Sequence, residues 1–420
     1  MSQAAAPIDD RAGDRANARN ALLAGFLGWT LDAFDYFILT FVLTQVGAEF
    51  HRSIVEMSFT LTASLLMRPV GAFIFGLMAD RYGRRLPLMI DVLFYSVVEV
   101  LSGFAPNYTV FLILRLLYGI GMGGEWGVGA SLAMESVPAK WRGILSGVLQ
   151  EGYALGNLLA ALAFWTIFPH WGWRAMFFLG GLPALLTFFI RARVKESDAW
   201  RATASARKSW SAYFRDVASN WKRFLYLVIF MAMMNFISHG TQDLYPSFLQ
   251  HDLHFSTRAT AIVSVVSMVG AIVGGVLVGL YSDRTGRRRA MVIAMLLGIV
   301  LIPLWLFAPR LIPMSSVAGE VALVSVGALL MQFMVQGAWG VVPAHINELS
   351  PNSLRGFFPG FAYQIGVLIA AGAAPIEALI GRHFTLAQSM GMFAAIVFVV
   401  GAIVTAAGPE AHRVSFGPSA

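Results

Sequence analysis

Apolar residues occur along this chain in long runs, separated by short segments rich in Arg, Gly, Pro or mixed charge. A helix rises 1.5 Å per residue, so about 18 apolar residues reach across the hydrocarbon of a bilayer. Runs of that length fall near 21–47, 54–79, 87–105, 108–134, 143–168, 173–190, 224–249, 259–281, 290–308, 320–346, 357–380 and 386–408. The pattern predicts an all-α membrane protein with twelve transmembrane helices. A polar segment at 191–223, holding Lys195, Glu196, Asp198, Arg201, Arg207 and Lys208, divides six helices from six. The predicted organisation is an N-terminal tail over 1–20, a six-helix bundle over 21–190, a linker over 191–223, a second six-helix bundle over 224–408 and a C-terminal tail over 409–420.

The seventh run breaks the apolar pattern most strongly. At about 100° per residue, Asn235, Ser238, His239, Gln242 and Asp243 share one stripe of the helix, while Ile229, Phe230, Met233, Phe236 and Ile237 cover the rest. Such a stripe must face protein or water rather than lipid. Hydrogen bonding between neighbouring helices would explain one such residue. Five together, with His239 and Asp243 at i and i+4, point to a path for a solute or a proton.

Composition agrees: the 420 residues are 57% hydrophobic and 13% charged, with a mean hydropathy of +0.68. The net charge of +7 would suit nucleic acid or anionic lipid if it were clustered, but its placement follows the positive-inside bias. With the N-terminus in the cytoplasm, inner segments hold 23 of the 30 Lys and Arg residues and outer loops hold five: Arg52, Arg174, Arg258, Arg310 and Arg382. A multi-pass protein of the cell membrane with both termini cytoplasmic is therefore expected, with lipid and not nucleic acid as its surroundings. Residues 1–20 lack the apolar core of a cleavable signal peptide. The absence of cysteine removes disulfides, iron–sulfur centres and thiolate catalysis. No metal site and no cofactor are expected.

Two patterns recur across the linker. Gly76-Leu-Met-Ala-Asp80-Arg81-Tyr-Gly83-Arg84-Arg85 returns as Gly279-Leu-Tyr-Ser-Asp283-Arg284-Thr-Gly286-Arg287-Arg288, and Glu135-Ser-Val-Pro138-Ala-Lys-Trp-Arg142-Gly143 returns as Glu348-Leu-Ser-Pro351-Asn-Ser-Leu-Arg355-Gly356. A topology signal needs only positive charge, whereas a tight glycine turn between an Asp and several Arg residues, repeated in both halves, is specific. With these motifs the chain, over about 20–408, resembles the major facilitator superfamily. The resemblance implies two bundles related by an axis along the membrane normal and a central site opening alternately to each side, without catalysis. It also implies two cytoplasmic latches: Asp80, Arg84 and Arg85 with Glu135 and Arg142, and Asp283, Arg287 and Arg288 with Glu348 and Arg355.

Charged groups inside the remaining runs supply candidate chemistry. Asp32 and Asp35 share a face of the first helix, roughly 16 and 21 Å above its start; either a structural ion pair or proton coupling would account for them. Arg68, before Pro69, is either a carboxylate clamp or a snorkelling side chain. Arg115 lies in an Arg-x-x-x-Gly-x-Gly sequence that resembles the fourth-helix coupling pattern of the same superfamily, with Asp35 its expected partner and Glu125 a candidate to neutralise Arg68. Gly119, Gly121, Gly123 and Gly124 are expected to allow close helix packing rather than to hold a dinucleotide. Gln150, Glu151, Tyr153, Asn157, Gln332, Gln336, Tyr363, Gln364 and Glu377 could each touch solute or pack, and the Trp and Phe residues are expected to be core and interface anchors.

A finer resemblance rests on the seventh helix. Asn235-x-x-Ser238-His239-x-Thr241-Gln242-Asp243 is similar to the Asn-x-x-(Ser/Thr)-His-x-(Ser/Thr)-Gln-Asp-x-x-x-Thr signature of Jen-type lactate and pyruvate permeases within the sialate:proton symporter group, with Ser247 in place of the final Thr. It implies proton symport of short monocarboxylates. In that scheme Arg68 or protonated His239 holds the carboxylate, and Asn235, Ser238, Gln242 and Gln364 complete the site. Asp32, Asp35, Arg115, His239 and Asp243 are the proton-coupling candidates. The expected partners are a small carboxylate and a proton, with the monomer as functional unit. Sialic acid, an aromatic acid or a dicarboxylate is the alternative cargo. A membrane enzyme using His239 and Asp243 as a general base is disfavoured, because the duplicated latches serve alternating access rather than catalysis.

Overall fold

Every one of the twelve apolar runs is helical in the computed structural model of the protein, which describes residues 12–204, 209–412 and 414–416. Arg207, Lys208, Arg413 and the outer parts of both predicted tails lie outside the described residues. The first half contains α1 (Ala12–Glu49), α2 (Ile54–Tyr82), α3 (Arg85–Gly103), α4 (Tyr108–Ser136), α5 (Arg142–Gln150), α6 (Gly152–Thr166), α7 (Phe168–Leu179) and α8 (Pro183–Arg193). Two linker helices follow, α9 (Asp198–Ala204) and α10 (Trp210–Ser219). The second half contains α11 (Trp221–Gln242), α12 (Tyr245–His251), α13 (Thr257–Thr285), α14 (Arg287–Leu311), α15 (Val317–Leu349), α16 (Phe358–Ala370), α17 (Ala373–Ile380) and α18 (Leu386–Ala407).

Eight of these helices pair end to end, α5 with α6, α7 with α8, α11 with α12 and α16 with α17, so the chain makes twelve spans in two six-helix bundles. Among the described residues nine spans are long and apolar enough to cross a membrane by length and composition. The other three are α4, which carries Arg115, Glu125 and Glu135, and the broken spans α5–α6 and α16–α17. Proline or glycine marks most breaks: Gly180, Gly181 and Pro183 between α7 and α8, Pro246 at the start of α12, and Gly372 before α17.

Within each bundle the helices meet through backbone. A methyl group at Gly119 would lie 2.1 Å from the Ser64 carbonyl oxygen, and one at Gly123 would lie 1.9 Å from that of Arg68. These glycines press α4 against α2, as small residues do where lipid provides no hydrophobic drive for association. The same device returns in the second bundle, where Gly270 and Gly274 on α13 abut the carbonyls of Leu329 and Phe333 on α15.

The bundles touch each other near one face. That face, the Arg-rich face, carries the turns at Gly83 and Gly286, the linker helices and the C-terminal segment. Gly83 and Gly286 have φ of 99° and 97°, a left-handed backbone that favours glycine. Close to this face Gly147 on α5 meets the Gly275 carbonyl of α13, and Gly127 on α4 meets Gly360 on α16.

Candidate functional site

Between the bundles, aromatic rings from both halves gather beneath Arg68. Trp29 stacks on Tyr153 at 5.6 Å and packs edge-on against Trp126 at 6.4 Å. Tyr363, from the second bundle, lies 4.4 Å from Trp126 and 6.0 Å from Trp339. The Arg68 guanidinium sits 5.9 Å over the Tyr363 ring. It is buried, and among the described residues its Nε and Nη2 have no hydrogen-bond partner. A buried cation with free N–H groups above an apolar floor can receive a carboxylate in a two-pronged contact. Asp32 and Glu125 lie within electrostatic reach of Arg68, but Glu125, the candidate to neutralise it, makes no ion pair with it, and both Glu125 oxygens are without a hydrogen-bond partner among the described residues. Trp29, Trp126 and Trp339 were expected to be anchors, and Tyr153 and Tyr363 to touch solute or pack; all five are widely spaced in sequence, and tertiary packing alone brings them together.

The polar stripe of α11 faces this region. His239 Nδ1 meets Asp243 Oδ2 at 3.1 Å, and the two side chains keep 39% and 41% of their surface exposed. Asp243 is within electrostatic reach of Tyr36 and Tyr153 of the first bundle and of Glu377 on α17. Two other stripe residues are already engaged. Asn235 Nδ2 donates to its own helix at the Met231 carbonyl (2.8 Å), and Gln242 Nε2 donates to Gln332 Oε1 on α15 (3.0 Å). Ser238 is half-buried, and its carbonyl accepts from the Thr241 hydroxyl at 3.2 Å. Gln364 Nε2 reaches the Gly123 carbonyl at 3.4 Å across the bundle interface, leaving its Oε1 buried and without a partner among the described residues.

Arg115 does not pair with Asp35. Its Nη2 lies 2.6 Å from Glu99 Oε2 on α3 and also donates to the Ser102 hydroxyl, while among the described residues both oxygens of Asp32 and of Asp35 are buried without a hydrogen bond. Asp35 turns toward the α7–α8 kink, where a methyl at Gly180 would lie 3.1 Å from its Oδ1. Glu99 and Asp91, both inside the third apolar run, were not among the expected site residues. Their signal was present in the sequence as Asp91-x-x-x-Tyr95-x-x-x-Glu99 on a largely apolar helix.

At the Arg-rich face the repeated motifs interlock, and they do so crosswise. Arg84 joins Asp80 at 2.8 Å and Glu135 at 2.9 Å within the first half, and Arg287 joins Asp283 at 2.8 Å and Glu348 at 2.9 Å within the second. Arg142, expected with the first group, instead donates to Glu348 at 2.9 Å, and Arg355 reaches Glu135 at 3.4 Å. Both aspartates also cross. Asp80 accepts the Gly356 backbone N–H at 2.7 Å, and Asp283 accepts those of Gly143 and Ile144 at 2.9 and 3.1 Å.

Arg85 and Arg288 stand outside these acid pairs. Arg85 donates to the Arg191 carbonyl, and Arg288 donates to those of Ala406 and Gly408. Their backbone N–H groups are held by two further acids in equivalent places: Glu196 takes those of Arg84 and Arg85, and Glu410 takes those of Arg287 and Arg288. Each carboxylate thus caps a helix N-terminus, where the helix dipole favours negative charge.

The linker and the C-terminal segment cover the latch. Tyr213 on α10 donates to Asp80 Oδ2 at 2.9 Å, and Ser353 donates to Asp216. Burial in this contact, together with the adjacent Asp80 carboxylate, pushes the Tyr213 phenol well above its ordinary range. The Phe416 ring lies between the guanidinium groups of Arg142 and Arg355, 3.8 Å from each, and the Val414 carbonyl accepts from Arg142. The result is a conformer closed at the Arg-rich face.

Comparison with known proteins places this arrangement. The chain is 29% identical over 392 residues to a carboxylic acid transporter protein homolog of Saccharomyces cerevisiae, covering 87% of this chain and 62% of that protein. It is 28% identical over 375 residues to the sialic acid transporter NanX of Escherichia coli, covering 89% of each. In fold it is similar to the proton:xylose symporter XylE bound to 6-bromo-6-deoxy-D-glucose, with a TM-score of 0.73, 19% identity and coverage of 96% of this chain and 98% of that one. The family model described as Major Facilitator Superfamily matches residues 25–375 and 244–418. This chain, a multi-pass membrane transporter and not an enzyme, belongs to the Major Facilitator Superfamily.

Proposed function

We propose that the protein is a proton-coupled symporter of short monocarboxylates such as lactate or pyruvate, of the Jen type within the sialate:proton symporter group, and that it works by alternating access. The observation that carries this reading is Arg68: a buried guanidinium at the seam of the two bundles whose Nε and Nη2 have no partner among the described residues. A carboxylate cargo would complete it. Gln364, with its free Oε1, would accept from the 2-hydroxyl of lactate, and the Gln242–Gln332 pair would exchange its mutual bond for one to the cargo. His239 and Asp243 would sense the proton at the exposed end of the stripe, and Asp32 and Asp35 would do so at its buried side.

In this scheme the positive-inside bias puts the Arg-rich face and both chain ends in the cytoplasm of a cell membrane, so the conformer described here is closed to the cytoplasm. The six-helix units over 21–190 and 224–408 rock about the central site as a single monomer, with the linker over 191–223 and the tail over 409–420 fastening the closed state. Lactate is an anion at neutral pH, and entry with one proton moves no net charge.

A second cargo class has its own observation. The rings of Trp29, Trp126, Tyr153, Trp339 and Tyr363 offer more apolar surface than a three-carbon acid can use, which suits an aromatic or cyclic acid. Uptake of labelled lactate into vesicles containing the purified protein tests both. Accumulation should follow an imposed inward proton gradient and fall in Arg68→Ala. Accumulation indifferent to the gradient would end the proton-coupled reading. Competition by benzoate at lower concentration than by pyruvate would assign the larger cargo.

A further inference from the structure

Behind the central site, inside the first bundle, polar residues form a ladder that the cargo reading does not use. On α3, Asp91, Tyr95, Glu99 and Ser102 follow one another at i, i+4, i+8 and i+11, all fully buried, and so line one face over roughly 16 Å. Facing them are Asp32 and Asp35 on α1 and Arg115, Tyr118 and Glu125 on α4, and Arg68 on α2 lies within electrostatic reach of Asp32 and Glu125. Glu125 sits against α1, since a methyl at Gly28, one turn before Asp32, would lie 2.2 Å from its Oε1. Glu99 and Asp35 come together at Gly180 of the α7–α8 kink, where a methyl would meet Glu99 Cγ at 2.2 Å. Asp91 is within electrostatic reach of Glu125 and Asp32. The Tyr118 hydroxyl donates to the Asp32 carbonyl at 3.1 Å.

Five carboxyl groups, Asp32, Asp35, Asp91, Glu99 and Glu125, thus share this interior with two guanidinium groups, Arg68 and Arg115. Arg115 is committed to Glu99. Uncompensated charge inside a membrane bundle is costly, so most of the remaining carboxyls must hold protons or exchange them. An independent feature points the same way: the Tyr95 hydroxyl is fully buried, has no partner among the described residues and lies within electrostatic reach of Asp32, Asp35, Asp91 and Glu125. A metal ion would require the oxygens to converge on one point; here they are strung along three helices, and no metal-holding group of His, Asp or Glu is found among the described residues.

We propose that this ladder is a proton path within the first bundle, with Asp91 its terminal station toward the Arg-rich face and the Tyr95 hydroxyl its bridge to the level of Asp32 and Glu125. Asp91 lies six residues beyond the start of α3, roughly 9 Å from that face. Each transfer breaks one O–H bond and forms another on the next oxygen, so no oxidant or reductant is needed. Cargo then crosses between the bundles while its proton crosses inside one of them. The two tracks meet where Asp32 comes within reach of Arg68. The inference rests on the proton-coupled reading above.

The test uses the full chain in lipid vesicles with labelled lactate as cargo and an entrapped pH dye, comparing wild type with Asp91→Asn and Tyr95→Phe. Both variants should lose gradient-driven accumulation and the dye signal by about tenfold or more, the scale of a missing proton-transfer group. Exchange of internal for external lactate, which needs no net proton movement, should be slowed far less. Accumulation equal to wild type in both variants would overturn the path, and so would equal loss of exchange and accumulation in the conservative Tyr95→Phe. A cargo-free arm separates this from the transport reading. The infrared absorbance of protonated carboxyls in the purified protein should fall in Asp91→Asn. An unchanged band overturns the ladder, whereas a wild type that moves lactate without protons overturns only the symport.

Discussion

Arg115 and Glu99 form an ion pair of 2.6 Å with side chains 1% and 0% exposed, joining α4 to α3 in the middle of the first bundle. Removing one partner strands a buried charge, which costs about 3–5 kcal/mol, whereas removing both does not. Arg115→Ala is therefore expected to lower the thermal midpoint in detergent sharply, and Arg115→Ala with Glu99→Ala to recover part of the loss. A double substitution as unstable as the single one would contradict the pairing.

Glu348 ties Arg142 of the first half to Arg287 of its own. Hydrogen bonds between charged groups contribute about 1.5–3 kcal/mol each. Glu348→Gln should therefore weaken the closed conformer and expose the seam. The chain has no cysteine, so a single Ser131→Cys, at a fully buried seam position, reports opening by maleimide labelling. Labelling is expected to rise roughly tenfold in the Glu348→Gln background, as a shift of about 1.4 kcal/mol requires.

Gly147 leaves no room for a side chain: an added methyl would lie 2.3 Å from the Gly275 carbonyl oxygen of the other bundle. Gly147→Ala should push the bundles apart at the Arg-rich face at a cost of about 1–3 kcal/mol, raising the same labelling. Gly372→Ala, whose methyl would meet nothing closer than 3.8 Å, should leave it unchanged.

Phe416 fills the space between Arg142 and Arg355. Desolvated contacts between a cation and a ring are worth up to about 2 kcal/mol each. Phe416→Ala should raise seam labelling by several-fold, while Phe416→Trp keeps it near the wild-type level.

The twelve runs and their division into two bundles could be read from the sequence because hydrocarbon thickness sets a minimum length and leaves little freedom. Finer features escaped for physical reasons. The breaks at Glu151, Gly180 and Asp243 keep the run apolar overall, so hydropathy passes over them. A duplication reveals that Arg142 and Arg355 correspond, but not which half each side chain turns to. The stripe of His239 was visible because polarity on one helix face is a local property. The aromatic floor was not, because Trp29, Trp126, Tyr153, Trp339 and Tyr363 come from five distant stretches. Asp91 and Glu99 recur at helical spacing, but they sit inside the third span, whose mean hydropathy stays high enough to hide two acids.

The crossing of Arg142 to Glu348 and of Arg355 to Glu135 has the form of an isologous interface, in which residue i of one copy meets j of the other and j meets i. Written into one chain, it makes each half the keeper of the other's acid. Neither duplicated half holds a complete latch, so sequence drift at any one of these four positions is felt on both sides of the molecule at once.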